Sequence, residues 1–372
     1  MTTLSRFHLL AACVSILVAI LPGESAANPI SIFPPQAEPG DLNAGLDASE
    51  YFFHPREEEC ASESWFFMAH LNDDIVVFGF FGITNLGIGD RSADANVSVS
   101  MAGGRSWFAR SKVKSGEVSA ATDVLDIKLG VNRFWGSFPE FRITFDEGKI
   151  GLDLTYTCEL PGWKPGSGKV ILDKDSEKFY SICVPATRAK VTGSVTLEGR
   201  STDVSGYGYS DHGLVTVYPH VYSEHWLSLR SFDAEHTVNF LQFTTPEEYG
   251  HRQARWILVG DAGRILLATT DFELEPRDTV HDQRWGDSWP GTIAFKAADG
   301  ARVSVEGTVT VGTVLERLDF LSKLSFLERT IASFFARSLI YRFPCEVKVH
   351  QEVGEEKEDF VLKGVSEVLF VK

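Results

Sequence analysis

The segment that decides the fold is 150–158, IGLDLTYTC. Apolar residues occupy every second position from Ile150 to Cys158, with Gly, Asp and Thr between them. Such alternation is typical of a β-strand with one buried and one hydrated face. The pattern returns at 303–311, VSVEGTVTV, directly after the turn signal Asp299-Gly300. Many short runs of this kind predict an all-β fold, mainly antiparallel, built as a sandwich or barrel.

Glycines interrupt the chain most densely at 205–213, SGYGYSDHG, so we place a domain boundary there. The expected organisation is two β domains in tandem, over residues 28–205 and 206–372. A chain of 372 residues is long enough for two such domains, each with a core of its own.

One segment departs from the strand pattern. Residues 313–342 lack both Gly and Pro, and their apolar residues recur at steps of three and four, from Leu315 to Phe335. This spacing predicts a long amphipathic helix within the second domain, packed across a sheet or a barrel end. A helix lying in a membrane interface, giving peripheral membrane contact, is the alternative.

The N-terminus has the pattern of a secretory signal peptide over residues 1–27. Arg6 precedes an apolar run at 9–21, and Pro22-Gly23 and small residues lead to an expected cleavage after Ala27. We therefore predict a secreted or secretory-pathway protein, periplasmic if the source is bacterial, with no transmembrane span. In a eukaryote, the sequon at Asn96 would be a glycosylation site.

Four cysteines remain after the predicted cleavage: Cys60, Cys158, Cys183 and Cys345. An oxidising compartment would allow two disulfides in any of three pairings, and the alternative is four buried free thiols. The spacings do not decide between these possibilities.

The composition excludes several classes of function. With 51 acidic and 35 basic residues the formal charge is −16, which disfavours nucleic-acid binding. The chain has no phosphate loop, no GxGxxG, no GxSxG and no paired Cys/His spacing, so we expect neither a cofactor nor a metal. The 27 Phe, 9 Tyr and 8 Trp residues fill a core or line a cavity.

The glycine-rich segment 205–213 is also the densest candidate for chemistry. In a strand, Tyr207, Tyr209 and Asp211 would share one face, with His212 on the other. A carboxyl group beside aromatic rings in an apolar cavity has a raised pKa and can act as a general acid. The structural alternative is that Asp211 caps a turn, His212 is satisfied by a backbone carbonyl, and the tyrosines pack at a domain junction.

Several segments resemble one known superfamily. ESWFFMAHL at 63–71 resembles its characteristic opening, and RAKVTGSVTLEG at 188–199, leading into 205–213, resembles the motif that ends its first domain. The Tyr-Pro-His at 218–220 and the Trp-Pro at 289–290 also fit. On these motifs the chain resembles the lipocalin-like superfamily of carotenoid 1,2-hydratases, AttH proteins and survival factors. The resemblance implies two lipocalin-like or sandwich-like β domains that enclose an apolar pocket.

Three functions follow from this resemblance, and all three use an apolar polyene, isoprenoid or lipid without a cofactor. The leading hypothesis is a cyclase similar to the fungal Diels–Alderases, with Tyr209 or His220 polarising a substrate carbonyl. The second is a hydratase with Asp211 as proton donor. The third is a carrier that performs no chemistry. The expected pocket residues share aromatic rings: Trp65, Phe67, Tyr207, His212, Trp226, Trp256, Trp285 and Trp289. We expect a monomer.

Overall fold

The computed structural model describes residues 30–35, 41–85, 92–101, 104–173, 175–300, 302–319 and 338–371. Within these residues every strand pair is antiparallel, so the prediction of an antiparallel all-β fold is confirmed. The strands form two sheets that follow one another along the chain. No helix in the described part has both the length and the apolar character needed to cross a membrane.

The first sheet has thirteen strands. In chain order they are β1 (Ser31–Ile32), β2 (Ser62–Leu71), β3 (Ile75–Thr84), β4 (Ser92–Met101), β5 (Arg105–Val113), β6 (Val118–Ala120), β7 (Leu125–Leu129), β8 (Asn132–Ser137), β9 (Glu140–Glu147), β10 (Ile150–Cys158), β11 (Lys169–Ile171), β12 (Phe179–Leu197) and β13 (Arg200–Val215). Their order across the sheet is β5-β4-β3-β2-β13-β12-β10-β9-β8-β7-β6, with β11 joining β12 and β1.

The second sheet has ten strands and follows a short helix, α1 (Pro219–Tyr222). They are β14 (His225–Phe232), β15 (His236–Thr244), β16 (Gln253–Asp261), β17 (Arg264–Thr269), β18 (Glu273–His281), β19 (Ser288–Asp299), β20 (Val303–Val311), β21 (Glu316–Asp319), β22 (Ser338–Val353) and β23 (Glu356–Val371). Their order is β17-β16-β15-β14-β23-β22-β20-β19-β18, and β21 pairs with β22.

Each sheet curves towards closure around its own apolar core, and we call the two units the first and the second barrel. Phe67, Phe81 and Phe134 pack inside the first barrel, and Phe240 and Phe295 pack inside the second. Alternation drives this closure, because every second side chain of a strand such as β10 points inward and is buried.

A third apolar cluster, the inter-barrel layer, joins the outer faces of the two barrels. It includes Trp163 and Tyr180 from the first barrel and Phe243 and Trp256 from the second. Trp163 and Trp256 meet edge to face, with ring centroids 5.6 Å apart. The two barrels therefore bury apolar surface against each other as well as inside themselves.

The structure corrects the prediction of a long helix at 313–342. Glu316–Asp319 and Ser338–Val353 are strands, and among the described residues the longest α-helix has four residues. Residues 320–337 of this segment lie outside the described residues. The sequence pattern did not indicate the strand at Glu316–Asp319, because one of its two buried positions is occupied by a charged residue. This residue, Glu316, is paired with Arg342.

Two other expectations concern the ends of the domains. The expected boundary at 205/206 falls within β13, all of which pairs in the first barrel, and the second barrel begins at His225. The predicted signal peptide lies outside the described residues.

The four cysteines after the predicted cleavage site are free thiols. Cys158 and Cys183 lie in the core of the first barrel and Cys345 in the core of the second, while Cys60 is half-buried. Of the two possibilities that the sequence left open, the structure shows the free thiols.

Candidate functional site

Strand β13 carries the segment that the sequence marks for chemistry. Tyr207 and Tyr209 point outward into the inter-barrel layer, whereas His212 points into the first barrel against Trp65. Gly208 has a close-packing role, because a Cβ there would lie 2.5 Å from the ring of Tyr156. Strand alternation and a glycine thus give this strand one face towards the second barrel and one towards the core of the first.

Asp211 meets Arg230 of β14 across the junction of the two barrels. Its Oδ2 lies 3.6 Å from the Arg230 Nη2, and the two side chains are only 14% and 5% exposed. Arg230 also donates to the Ser228 hydroxyl, and its guanidinium lies 4.9 Å from the ring centroid of Tyr209 and 5.3 Å from that of Phe66. The cation is therefore held by a carboxylate and two aromatic faces.

Burial changes the protonation of this group. It raises the pKa of the Asp211 carboxyl to about 6, although the positive charge of Arg230 acts to lower it. Burial, followed by the negative charge of Asp211, also raises the pKa of the Tyr209 hydroxyl well above its usual range. Asp211 can therefore hold or release a proton near neutral pH, while Tyr209 stays a neutral phenol.

Two polar atoms at this junction have unused hydrogen-bonding capacity. The Tyr209 hydroxyl and the Arg230 Nε are buried and have no hydrogen-bond partner of good geometry among the described residues, although Asp211 and Arg230 lie near enough to the hydroxyl to shift its pKa. Buried polar groups are usually paired, so such atoms indicate a position where a further group can bind. We call Tyr209, Asp211 and Arg230 the polar centre.

An aromatic group lies beside the polar centre. Trp226 stacks on Phe243 with ring centroids 4.9 Å apart, and Tyr222 stacks on Tyr180 at 5.1 Å. Trp226 and Tyr180 meet edge to face at 5.5 Å. These four rings, from β12, α1, β14 and β15, form a rigid apolar wall of which Trp226 is partly exposed.

A second buried charge cluster joins the barrels further along the junction. Arg342 of β22 donates to Glu316 (2.7 Å), to Glu367 (2.7 Å) and to the hydroxyl of Ser98 in the first barrel (2.8 Å). Its guanidinium lies 3.8 Å from the ring centroid of Phe78. Together, the polar centre and this cluster contain two arginines and three carboxyl groups.

The structure separates the predicted pocket residues into several places. Tyr207, Tyr209, Asp211, Trp226 and Trp256 are brought together between the barrels. Trp65 and Phe67 lie inside the first barrel, and Trp289 lies inside the second. Trp285 is 49% exposed, and His220 is exposed on α1, stacked against Tyr218. Asn96, the predicted glycosylation site, is half-buried in the middle of β4.

His212 belongs to a different cluster, at one end of the first barrel. Its Nε2 lies 2.8 Å from the Glu63 Oε1, and the same oxygen lies 2.9 Å from the Nδ1 of His54. Burial acts to raise the pKa of Glu63, but the hydrogen bonds with the two histidines outweigh it, so the pKa is lowered. Among the described residues, these three are the group whose donor atoms converge closely enough to hold a metal ion.

Sequence reasoning missed Arg188 and Arg230. Arg188 is fully buried in β12 and donates to the backbone carbonyls of Asp233, Ala234 and His236 in the second barrel, at 2.6–2.9 Å. Arg230 is the one charged residue of WLSLRSF, and Arg188 follows six uncharged residues in ICVPATRAKV, two positions before Lys190. An arginine within an apolar strand is the signal that could have identified them, because burial of an unpaired arginine is costly.

We expect Asp211→Asn to stabilise the protein at pH 8. A pKa raised from 3.8 to about 6 means that ionising Asp211 destabilises the native state, and this loss appears as the pH rises through about 6. Two pKa units correspond to about 3 kcal/mol, so the unfolding temperature of the asparagine variant should exceed that of the wild type by several degrees at pH 8. At pH 4 the difference should vanish.

Thermal unfolding followed by circular dichroism at both pH values checks this expectation. Asp153→Asn, at a side chain that is 59% exposed, is the matched control. An asparagine variant that is less stable than the wild type at pH 8 would show that the attraction of Arg230 outweighs burial.

Solved structures share this fold. An AttH-type protein of Nitrosomonas europaea has a TM-score of 0.62 at 16% identity, covering 90% of this chain and 100% of its own. CghA in complex with Sch210972 has a TM-score of 0.58 at 12% identity, covering 92% and 98%. Kievitone hydratase of Nectria haematococca has a TM-score of 0.54 at 13% identity, covering 91% and 98%. Identities this low indicate a common fold and no more.

Sequence comparison is more specific. The ceramide-binding protein svf1 of Emericella nidulans is 24% identical over 259 residues, covering 66% of this chain and 67% of its own. The ceramide-binding protein SVF1 of Candida albicans is 29% identical over 196 residues, half of each chain. The matched regions thus span between half and two thirds of these relatives. The sequence profile of the Svf1 family matches residues 111–372. This chain therefore belongs to the Svf1 family.

Proposed function

We propose that this protein binds a ceramide-like lipid at the junction of the two barrels and carries it unchanged. The observation that carries the proposal is the polar centre, where the unpaired Tyr209 hydroxyl and Arg230 Nε lie beside an aromatic wall. The ceramide-binding names of the relatives point to the same ligand class. This carrier function replaces the cyclase as the leading hypothesis.

The chemistry of the polar centre suits the headgroup of a ceramide. That headgroup is an uncharged amide with hydroxyl groups, so it can both donate and accept hydrogen bonds. Arg230 Nε can donate, Asp211 can accept, and the Tyr209 hydroxyl can do either. The acyl chain and the long-chain base would lie against the four rings of the aromatic wall.

Charge favours a neutral lipid over an anionic one. The arginines of these two clusters are already paired with carboxyl groups: Arg230 with Asp211, and Arg342 with Glu316 and Glu367. A lipid phosphate entering this region would meet three carboxyl groups and no unpaired positive charge. We therefore expect ceramide to bind more tightly than ceramide 1-phosphate or phosphatidic acid.

Transfer of a fluorescent ceramide between vesicles, together with native mass spectrometry of the loaded protein, tests the proposal. We expect a stoichiometric complex and release of the ceramide at its original mass. Trp226→Ala should weaken binding about tenfold, because it removes one ring of the aromatic wall, equivalent to about 1.4 kcal/mol. Trp285→Ala, which truncates an exposed tryptophan, is the matched control and should leave binding unchanged.

Equal binding by both tryptophan variants would place the lipid elsewhere on the protein. Absence of ceramide binding by the wild type would contradict the carrier function itself.

The hydratase is the second candidate, because the pKa of the buried Asp211 carboxyl, about 6, suits a proton donor. Incubation with isoprenoids and polyenes, followed by mass spectrometry, distinguishes the functions. A product heavier by one water that disappears in Asp211→Asn would support the hydratase. A rearranged product of unchanged mass that persists in this variant would support the cyclase.

A further inference from the structure

The cluster at the end of the first barrel takes no part in lipid binding as proposed above. His212 and Asp211 are neighbours in β13, but their side chains lie on opposite faces of the sheet. The cluster combines two imidazoles and a carboxylate, and the side chains of Glu63 and His212 are 3% and 4% exposed. Its ligand atoms all lie within 4.8 Å of one another.

We propose that His54, Glu63 and His212 bind a zinc ion, with one coordination position left open. Two histidines and a glutamate form an established donor set for zinc, with metal–ligand distances of about 2.0–2.2 Å. Tetrahedral geometry places neighbouring donors roughly 3.3 Å apart. The present contacts of 2.8 and 2.9 Å therefore need to widen by about half an ångström as the ion replaces the shared protons.

The surroundings allow this small movement. The His54 side chain is 41% exposed and lies in the segment before β2, so its ring can shift without disturbing the sheet. A small cleft lined by Phe53, Arg56 and Asn85, among others, reaches His54 and Glu63 from outside. An ion can approach by this route once the His54 ring shifts, and a water molecule would then occupy the open coordination position.

The second ligand is held in place from behind. The Nδ1 of His212 lies 3.9 Å from the Cys183 sulfur, and its ring packs against Trp65 with centroids 5.1 Å apart. Contacts of this kind fix the orientation of a metal-binding imidazole and leave its Nε2 directed at the ion. Glu63 is similarly held, because the backbone N–H of His54 donates to both of its oxygens at 3.0–3.1 Å.

Titration of the metal-free full chain with zinc chloride, followed by calorimetry, tests the site. We expect one zinc per chain, and affinity that falls as the pH is lowered because protons compete for both imidazoles. Cobalt(II), used as a spectroscopic probe, should give the visible absorption bands of a tetrahedral site.

Substitution at the ligands gives the decisive comparison. His54→Ala and Glu63→Gln should each weaken zinc binding at least tenfold and abolish the cobalt bands. His251→Ala is the matched control, because His251 is an exposed histidine paired with Glu224 at 2.8 Å in the second barrel. Glu63→Gln preserves the shape of the side chain, so this variant still tests the site if His54→Ala fails to fold.

The proposal is overturned if the wild type binds no stoichiometric zinc. It is overturned equally if both ligand variants bind zinc as tightly as the His251 control. In either case the three residues are a hydrogen-bonded group that serves the fold alone.

Discussion

We expect Arg188→Ala to lower the free energy of unfolding by about 3–5 kcal/mol, as does removal of one partner from other buried ion pairs. The Arg188 side chain has no exposed surface. Its loss removes a donor from three backbone carbonyls where β14 turns into β15, of which the His236 carbonyl keeps the Asp233 N–H, and leaves Glu159 with Lys190 as its cationic partner. Each carbonyl left unpaired in the interior costs about 1–3 kcal/mol unless water replaces the guanidinium.

Because Arg188 lies between the two barrels, its replacement should weaken the contact between the barrels as well as the stability of the protein. The guanidinium lies 4.4 Å from the Tyr207 ring centroid, and the neighbouring Thr187 carbonyl accepts from Asn239 of β15 at 2.8 Å. The hydrogen bond from Asn239 to Thr187 joins the hairpin of β14 and β15 to the first barrel, and the Tyr207 ring packs beside this connection. If the protein binds ceramide at the junction as proposed, Arg188→Ala should weaken that binding too, because the hairpin carries Arg230 and Phe243.

Urea unfolding followed by fluorescence and circular dichroism measures this loss. Arg142→Ala is the matched control, since Arg142 is a 47% exposed arginine on β9 and should change stability by less than about 1 kcal/mol. Arg188→Lys should restore little, because a single ammonium group cannot reach three carbonyls and a carboxylate in the same geometry. Equal losses in the Arg142 and Arg188 variants would contradict the docking role.

Strand alternation predicted much of this fold. The strand β10 coincides with the alternating segment 150–158, and Tyr207 and Tyr209 share one face of β13, as the pattern predicts. Alternation is a local property, so one sequence contains it. Which face turns into a barrel and which turns towards the other barrel is decided by closure of the sheet. For that reason Trp65 and Trp226, both expected at one pocket, lie in different cores.

The rest of the site depends on contacts between distant residues. Asp211 meets Arg230 only because β13 and β14 are brought together by the junction of the barrels. Arg188 lies on the outer face of β12 with Ile182 and Val184, because the register shifts on the two sides of Ala186 cancel. The carbonyls that it meets belong to the second barrel, and a single sequence does not show which residues of another domain will face a given strand. The spacing from His54 and Glu63 to His212 likewise matches no local metal-binding motif.

The second large effect is expected at Arg342. Replacing it by methionine leaves Glu316 and Glu367, which are 3% and 16% exposed, without their shared cation, and this should cost about 3–5 kcal/mol of the free energy of unfolding. Ser98 would also lose a donor, although it could still donate to Glu316 at 2.9 Å. The loss arises from unpaired negative charge, so neutralising that charge should reverse part of it.

A double variant separates charge from packing at this position. Arg342→Met combined with Glu316→Gln should recover at least 1 kcal/mol relative to Arg342→Met alone, because fewer buried charges remain unpaired. Arg277→Met is the matched control, since Arg277 and Glu275 form a pair on β18 in which both partners are more than half exposed. Urea unfolding of the wild type, Arg342→Met, Glu316→Gln and the double variant gives the coupling free energy, and Arg277→Met is measured beside them. If the double variant is less stable than Arg342→Met, then Glu316 stabilises the junction through its hydrogen bond with Ser98 rather than through its charge.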